Sequence, residues 1–320
     1  MIWLTLMFIL LSPVSYNMAT KASQKEMPNP IPAPLPAGLL RRADQLLAKH
    51  PGYAGSNATL RVQTLGGFRV WYNNSELMPS VWGREKAIHL FQYLLTLRRL
   101  YAHKEQIIDR LWPNLEMDKG DRDFKVALNA VNKALEPKRE AWGESSFIQR
   151  HDLAYSLNMR NIWLDGEVFE LLVEEANAAL LLQPADTDRA IACLDTAVHI
   201  YKGEYLPERL YEDWSSAERE RLQLLAFGAM VRLGQLLLSR EPLETIRLSQ
   251  RVLQADPVWE DAYRLQMRAY MQQGNRPLAM RTYEQCEEVL EEEFGIPPLP
   301  ETQDLYQQIR QGKYGSIEQK

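Results

Sequence analysis

The chain has 320 residues, of which 46% are hydrophobic and 25% are charged, and its net charge is −5. These values are ordinary for a globular protein and suit two domains, or three small ones, each large enough to bury a core. Two cysteines, Cys193 and Cys286, are too few for a disulfide framework, so the composition excludes a disulfide-stapled scaffold and fits a reducing compartment.

Charge is distributed unevenly along the chain. Residues 60–165 contain 16 Lys and Arg against 13 Asp and Glu, whereas residues 166–320 contain 16 against 27. The middle of the chain is therefore slightly positive and the C-terminal half is strongly negative. The middle could face an anion, whereas the C-terminal half would repel one.

The first features along the chain are an apolar run over residues 2–11 and a stiff proline-rich linker over residues 28–36. The run has the length of a signal-peptide core, but no Lys or Arg precedes it and it is short for a membrane span. Three interpretations stay open: a secretion signal, a weak membrane anchor, or a translated stretch from an upstream start or a truncated larger gene. We favour the last. We expect residues 1–59 to be poorly ordered, with a short helix within LLRRADQLLAKHP.

From Leu60 the pattern changes to that of short strands. Apolar residues alternate in LRVQTLGGFRVWYNN around a Gly-Gly pair, and another strand is predicted over residues 76–81. Helices are predicted within WGREKAIHLFQYLLTLRRLYAH, within KEQIIDRLW and over about residues 120–135, and SSFIQRHDLAYSLN predicts two strands around a turn. This order of sheet, three helices and hairpin is that of a winged helix-turn-helix domain, which we place at residues 60–160.

The third predicted helix has two chemically different sides. At about 100° per residue, one arc is apolar and predicts the buried side: Phe124, Leu128, Val131 and Leu135. The opposite side is expected to be exposed: Arg122, Val126, Asn129 and Lys133, flanked by Lys125 and Asn132. Such a side can be merely solvated, but the third helix of a winged helix-turn-helix domain enters the major groove of DNA.

This exposed side supplies candidate DNA contacts. Asn129 and Asn132 could form bidentate bonds to adenine, and the methyl groups of Val126 could meet thymine methyl groups. Lys125 and Lys133 could contact guanine or phosphate. The candidate phosphate contacts, which position the protein without reading sequence, are Lys104, Lys119, Arg122 and the wing residue Arg150. Each of these side chains could equally be an ordinary surface charge.

From Asp165 onward, apolar residues recur at helical spacing almost to the end of the chain. Helices are predicted at about 166–182, 187–202, 214–239, 243–255, 258–273, 277–293 and 301–311, separated by loops that contain Pro or Gly. Residues 256–296 resemble a tetratricopeptide helix pair, and residues 222–257 look like a weaker copy. Such pairs stack to bury their apolar faces, and a compact bundle without a ligand is the alternative.

No motif in the chain recommends an enzyme. The five histidines and two cysteines lack metal-ligand spacing, and the sequence has neither a phosphate-binding Gly-x-x-x-x-Gly-Lys-Ser/Thr loop nor a Gly-x-Ser-x-Gly elbow. We therefore expect no catalytic residues, no metal and no cofactor, and we identify no small-molecule substrate.

Several segments resemble one family of bacterial regulators. WGREKAIHLFQYLL, DRLWPN, FKVALNAVNKALEP and IWLDGEVFE are similar to the OmpR-like DNA-binding domain of SARP-type, antibiotic-regulatory activators. LDGEVFE, DWSSAERERLQ, DPVWEDAYRLQM, GNRPLAMRTYEQC and IPPLPETQDLY are similar to the bacterial transcriptional activation domain that follows it in these regulators. Together the similar segments cover about residues 60–311.

The chain departs from this family at two places. Relatives usually carry arginines along residues 129–133, where this chain has Ala130 and Asn132, and a Gly-Tyr pair on the wing, where it has Ala154 and Tyr155. We therefore expect a different target sequence and a lower non-specific affinity, because fewer phosphates would be neutralised.

The resemblance implies a mostly α fold, with a winged helix-turn-helix (α+β) domain followed at residues 161–312 by an all-α, tetratricopeptide-like domain and by a tail at 313–320. It also implies a cytoplasmic activator of transcription that binds double-stranded promoter DNA, as a homodimer or as tandem protomers, and contacts RNA polymerase. The loop over residues 113–120 is the candidate polymerase contact.

Two alternatives compete with the activator. The chain could be a protein-interaction scaffold whose winged helix has lost DNA binding, which the arginine-poor third helix and the modest positive charge favour. It could also be the C-terminal fragment of a larger regulator with an upstream sensory or ATPase module.

Overall fold

The structure, a computed structural model, describes residues 33–140 and 143–314. The apolar run over residues 2–11, most of the proline-rich linker and the end of the chain from residue 315 lie outside this part. Among the described residues, no helix is both long enough and apolar enough to cross a membrane.

The first described helix, α1 (Ala37–Leu47), confirms the short helix predicted within LLRRADQLLAKHP. Its apolar side chains Leu40, Ala43 and Leu47 are buried in the core of the C-terminal helices. The expectation of poor order is therefore wrong for this helix, because burying its apolar face offsets the entropy lost when the segment is ordered.

Four strands form a small sheet at the start of the middle region. β1 (Leu60–Gln63) and β2 (Arg69–Tyr72) pair antiparallel, as predicted, and β2 pairs with β3 (Ser75–Glu76). The strand predicted over residues 76–81 is wrong beyond Glu76, because Pro79–Trp82 forms a 3-10 helix instead. Proline lacks the N–H that a strand ladder needs, and the Trp82 side chain is buried in the core.

The predicted order of helices and hairpin follows this sheet. The three helices are α2 (Glu85–Leu97), α3 (Lys104–Leu111) and α4 (Met117–Leu135), and α4 begins before the predicted residue 120. A short β4 (Ala102–His103) joins the predicted hairpin of β5 (Ile148–His151) and β6 (Ala154–Leu157) in the order β4-β6-β5. This three-stranded sheet is the wing.

The chain then returns to the first sheet before it becomes all helical. β7 (Ile162–Leu164) pairs parallel with β1 and gives the order β3-β2-β1-β7, although the predicted boundary after residue 160 assigns it to the second domain. At the β1–β2 turn, Gly66 has a φ of 83°, and an added Cβ would lie 3.0 Å from the backbone of Lys202. Glycine is required there both for the left-handed backbone and for the close approach of the chain at Lys202.

Seven helices form the rest of the described chain, which we call the helical array. Their bounds are α5 (Asp165–Leu180), α6 (Thr187–Ile200), α7 (Asp213–Leu237), α8 (Pro242–Ala255), α9 (Glu260–Gln272), α10 (Arg276–Phe294) and α11 (Pro300–Gln311). These bounds agree with the predicted helices to within a few residues. Each helix packs mainly on its neighbours along the chain, as in stacked helical repeats, and α1 packs on α5 and α6. The mostly α fold class is thus confirmed.

Four clusters of buried apolar side chains among the described residues support these regions. One large cluster lies among α2, α3, α4 and the strands of the winged domain, and the other large cluster packs α1 against α5 to α9. Two smaller clusters lie among α9, α10 and α11 at the end of the array. Within the array, Ala262, Ala269 and Ala279 are fully buried, as expected for closely packed helix pairs. Cys193 and Cys286 are free and buried, and burial raises their thiol pKa values to about 11 and about 12.

Candidate nucleic-acid interface

Helix α4 is fixed on the winged domain by its apolar side. Phe124, Val131 and Leu135 are buried in the core, as the helical spacing predicts, whereas Leu128 is only half-buried. The Phe124 ring meets Tyr155 of β6 edge to face, with ring centroids 5.0 Å apart. This aromatic pair sets the position of the wing relative to α4.

A close approach at Gly120 sets the spacing of α3 and α4. A Cβ placed at Gly120 would lie 2.5 Å from Cγ2 of Ile108, a buried residue of α3. Glycine is therefore needed here for space rather than for backbone freedom. The exposed side of α4 owes its orientation to this contact and to the buried apolar side.

Most of the predicted recognition residues lie on the exposed side of α4. Arg122, Lys125, Asn129 and Lys133 are exposed, and Val126 is half-buried. Within the described ranges, neither Arg122 nor Lys133 forms an ion pair with another residue. Arg122, Asn129 and Lys133 therefore present two free cations and one amide to solvent along the helix.

The placement predicted for Asn132 is wrong. Its side chain is only 9% exposed, and its Oδ1 atom has no hydrogen-bond partner among the described residues. Asn132 lies one turn after the half-buried Leu128, so it faces the wing rather than solvent. Both residues line a cleft of about 670 Å³ between α4 and the wing, together with Tyr101 and Arg150. A direct bond from Asn132 to a base edge is therefore excluded from our candidate contacts.

The lysines around the start of α4 are paired with carboxylates. Lys104 Nζ lies 2.5 Å from Asp121 Oδ1, and Lys125 Nζ lies 2.7 Å from Asp121 Oδ2. Lys119 Nζ lies 3.1 Å from Glu116 Oε2. All three lysines are predicted DNA contacts, and their carboxylate partners were not predicted, although the i, i+4 spacing of Asp121 and Lys125 is a signal for such a pair.

Arg150 lies on the exposed side of the wing, as predicted. Its Nε donates a hydrogen bond to the carbonyl oxygen of Asp152, 2.8 Å away, and its guanidinium lies 5.9 Å from the centroid of the Tyr155 ring. Asp152 has a φ of 53° and forms the turn of the hairpin with the exposed Leu153. The arginine is thus held beside its own turn, with donors left for an anion.

The loop before α4 is shorter than predicted. Because α4 begins at Met117, the loop comprises residues 113–116 instead of 113–120. Two apolar side chains at its end face solvent, with Leu115 38% exposed and Met117 49% exposed. Solvated apolar side chains beside the exposed side of α4 are suited to a protein contact.

The winged domain is attached to the helical array through ionic contacts that the sequence did not indicate. Arg98, at the end of α2, binds Glu170 of α5 and lies 2.7 Å from Glu218 of α7, and Arg221 binds the same two carboxylates. The Arg98 carbonyl oxygen also accepts a hydrogen bond from Leu157 N of the wing, at 3.2 Å. Arg98 thus connects α2, the wing and two helices of the array.

A second set of contacts joins the middle of α2 to the array. Gln92 Nε2 donates to Glu208 Oε1, and Arg209 Nε donates to Gln92 Oε1, both at 2.8 Å. The rings of Tyr93 and Trp214 meet edge to face, with centroids 5.6 Å apart. Two elements of the array therefore hold the helix that packs directly against α4.

The comparisons with known proteins agree with this arrangement. Residues 164–310 match the family described as the bacterial transcriptional activator domain. This match covers the helical array from the end of β7 into α11. A solved structure of Mycobacterium tuberculosis EmbR in complex with a low-affinity phosphopeptide matches the fold with a TM-score of 0.67 and 16% identity. That match covers 80% of this chain and 66% of the EmbR chain, and no curated protein matches.

The activator domain and the winged helix in front of it together support the resemblance found in the sequence. The chain has the architecture of SARP-type transcriptional regulators, with a winged-helix region followed by the helical activator domain. Because the EmbR chain is only 16% identical to this chain, its structure supports a shared fold and nothing further.

Proposed function

We propose that this SARP-type regulator binds promoter DNA through α4 and the wing and activates transcription. The observation that carries the proposal is the exposed side of α4, where Arg122, Asn129 and Lys133 stand free on a helix whose other side is anchored in the core. A helix held in this way can enter the major groove without reordering, so little binding energy is lost to rearrangement.

The side chains divide into two kinds of contact. Asn129 lies at the centre of the exposed side and would bond an adenine edge, with the methyl groups of Val126 against thymine. Lys133 would contact guanine or phosphate, and Arg122, Lys104, Lys119, Lys125 and Arg150 would bind phosphates around it. Truncation of Asn129 should thus change sequence preference, whereas truncation of Lys133 should weaken binding to every sequence.

The helical array and the loop before α4 would contact proteins. The array carries the negative surplus of the chain, so it would stay away from the DNA backbone. We assign the RNA polymerase contact to residues 113–116 and the adjoining Met117, because Leu115 and Met117 are exposed beside the DNA-contacting side. The protein would act in the cytoplasm, without enzymatic activity, as a dimer or as tandem protomers on repeated sites.

Selection of bound genomic fragments with the purified full chain tests the DNA contact. We compare the wild type with a Lys125→Ala/Asn129→Ala/Lys133→Ala variant at two salt concentrations. A matched control, Arg240→Ala/Arg247→Ala/Gln285→Ala, removes two cations and one amide from exposed positions of the array. We expect the wild type and the control to enrich one motif and the α4 variant to lose it. Equal enrichment by all three proteins would contradict the proposal.

The ion pairs of the lysines favour a second candidate function. Lys104, Lys119 and Lys125 each have a carboxylate partner, which reduces the positive field of the surface. A protein-interaction scaffold without DNA binding would show this pattern. The two functions differ in salt dependence, because affinity that rests on phosphate contacts falls linearly on a logarithmic scale as salt increases.

A further inference from the structure

Asp121 binds two of the candidate phosphate-contacting lysines at the same time. Its Oδ1 lies 2.5 Å from Nζ of Lys104, the first residue of α3, and its Oδ2 lies 2.7 Å from Nζ of Lys125, one turn further along α4. A single carboxylate thus bridges the two helices of the helix-turn-helix. The hydrogen bond from Lys104 lowers the pKa of Asp121, and the same bond raises the pKa of Lys104, so both groups are charged near neutral pH.

This arrangement has the chemistry of a DNA phosphate bound by two lysines. Each oxygen of the carboxylate accepts one ammonium group, as the two non-bridging oxygens of a phosphate would. The pairs are in contact with solvent, since the side chains of Lys104, Asp121 and Lys125 are 20%, 26% and 67% exposed. Exposed ion pairs contribute little to stability, so a competing anion can replace them at low cost.

We propose that Asp121 is an internal substitute for a DNA phosphate. In the free protein its carboxylate occupies Lys104 and Lys125, and it thereby opposes non-specific binding. The inference rests on the proposed function. A phosphate must displace the carboxylate to reach the lysines, and the displaced negative charge stays beside the DNA backbone. Only a sequence that also fits the exposed side of α4 provides base contacts that offset this repulsion. Asp121 therefore weakens binding to DNA of every sequence, and only a target that adds base contacts retains enough affinity to stay bound.

The same helix offers a matched control. Asp118 is exposed on α4, one turn before Asp121, and forms no ion pair with any residue that the structure describes. Asp118→Asn and Asp121→Asn change the net charge equally and keep the size of the side chain. A difference between the two variants therefore measures the bridge to the lysines and not the general charge of the surface.

The experiment measures the affinity of the full chain for a random-sequence duplex and for the selected motif, over about 50 to 200 mM salt. We expect Asp121→Asn to bind the random duplex about tenfold more tightly and to steepen the logarithmic salt slope by about 0.9 for each released lysine. The gain on the selected motif should be of similar size, because the same two lysines are released in both complexes. Asp118→Asn should change the slope much less.

Two results would overturn the inference while DNA binding itself persists. Weaker binding by Asp121→Asn to both duplexes would mean that Asp121 orients the lysines for phosphate instead of withholding them. Equal effects of Asp118→Asn and Asp121→Asn would leave only a general charge effect. Absence of binding in all three proteins at low salt would instead overturn the proposed function. Asp121→Ala, with unfolding midpoints in urea for every variant, separates these results from misfolding.

Discussion

The molecule contains two groups of ion pairs that differ in burial and, we infer, in purpose. At the contact between α2 and the array, Arg98 pairs with Glu170 and Glu218, and the three side chains are 19%, 13% and 14% exposed. On α3 and α4, the pairs of Asp121 with Lys104 and Lys125 are more open to solvent. Charges that are withdrawn from water must keep their partners, whereas exposed charges can change them.

This comparison separates the fixed part of the protein from the exchangeable part. The Arg98 pairs hold the winged domain, including the wing strand β6, on the array. The Asp121 pairs lie on the side that we assign to DNA, where a phosphate can take the place of the carboxylate. The Arg98 ion pairs thus fix the orientation of the winged domain, whereas the lysines paired with Asp121 stay available for a ligand.

The largest effect is expected for Arg98→Ala. The variant leaves Glu170 and Glu218 with Arg221 as their remaining cation, and loss of a buried ion-pair partner typically costs about 3–5 kcal/mol. The free energy of unfolding, measured by urea titration, should fall by about the lower end of that range. Arg247→Ala is the control, because its pair with Glu244 is on the surface and should contribute less than about 1 kcal/mol. Equal losses would contradict the distinction between the two groups.

A pH effect is expected from Asp165, which lies where the segment after β1 meets the start of α5. Its carboxylate accepts hydrogen bonds from Thr64 N, Thr64 Oγ1, Leu65 N and Gly166 N, and burial raises its pKa from 3.8 to about 6. Because the folded protein retains this proton where the unfolded chain has lost it, the contribution of Asp165 to stability falls as pH rises from about 4 to about 6. The change is on the order of 3 kcal/mol.

The Asp165→Asn variant isolates this contribution. Its unfolding free energy should be lower at neutral pH, because an amide cannot accept all of these bonds, and its difference from the wild type should shrink above about pH 4 as pH rises to about 6. Urea titrations of both proteins across this window measure the difference. A constant difference would show that the carboxyl of Asp165 does not titrate there.

Smaller changes in the free energy of unfolding are expected at two glycines, with opposite signs, and they test the spacing of α3 and α4. Gly120→Ala adds a methyl group against Ile108, and overpacking of this kind costs about 1–3 kcal/mol, reduced by the better helix propensity of alanine. Gly228→Ala, on an exposed part of α7 with nothing within 4 Å, should instead stabilise by about 0.5–1 kcal/mol. Stabilisation by both changes would show that the helices are not in close contact at Gly120.

The smallest effect is expected for Lys104→Ala. Its ion pair with Asp121 is partly exposed and Asp121 keeps Lys125 as a partner, so the urea midpoint should change little while affinity for DNA and its salt slope decrease. Parallel measurements of unfolding and of DNA affinity on one protein preparation check both statements. A loss of stability similar to that of Arg98→Ala would place this pair among the fixed contacts.

Helical periodicity predicted most of the fold. The seven helices of the array and the order of the winged domain follow from apolar spacing and from the positions of Pro and Gly, which act locally. The errors occur where tertiary contacts decide the structure. Pro79 and the buried Trp82 convert the end of a predicted strand into a 3-10 helix, and α1 is ordered because a distant surface covers it.

The candidate site was predicted less completely than the fold. Periodicity correctly placed Arg122, Asn129 and Lys133 on the exposed side of α4. Asn132 lies at the margin of the exposed arc, where the wing covers it. The wing comes from a separate part of the sequence, so periodicity within one helix cannot show this contact. The same reason applies to Arg98, whose partners lie on α5 and α7, and to the bond between Asp121 and Lys104.

Cleavage of DNA from a tethered reagent tests the central claim most directly. Asn129→Cys and, as a control, Leu243→Cys on α8 would each carry an iron chelate that cuts nearby DNA, and the natural thiols of Cys193 and Cys286 are buried and less reactive. If α4 lies in the major groove, the full chain labelled at residue 129 cuts within the selected motif and the protein labelled at residue 243 does not. Absence of cutting from residue 129 on DNA that the protein binds, or the same cutting from both positions, would contradict the claim that α4 reads DNA.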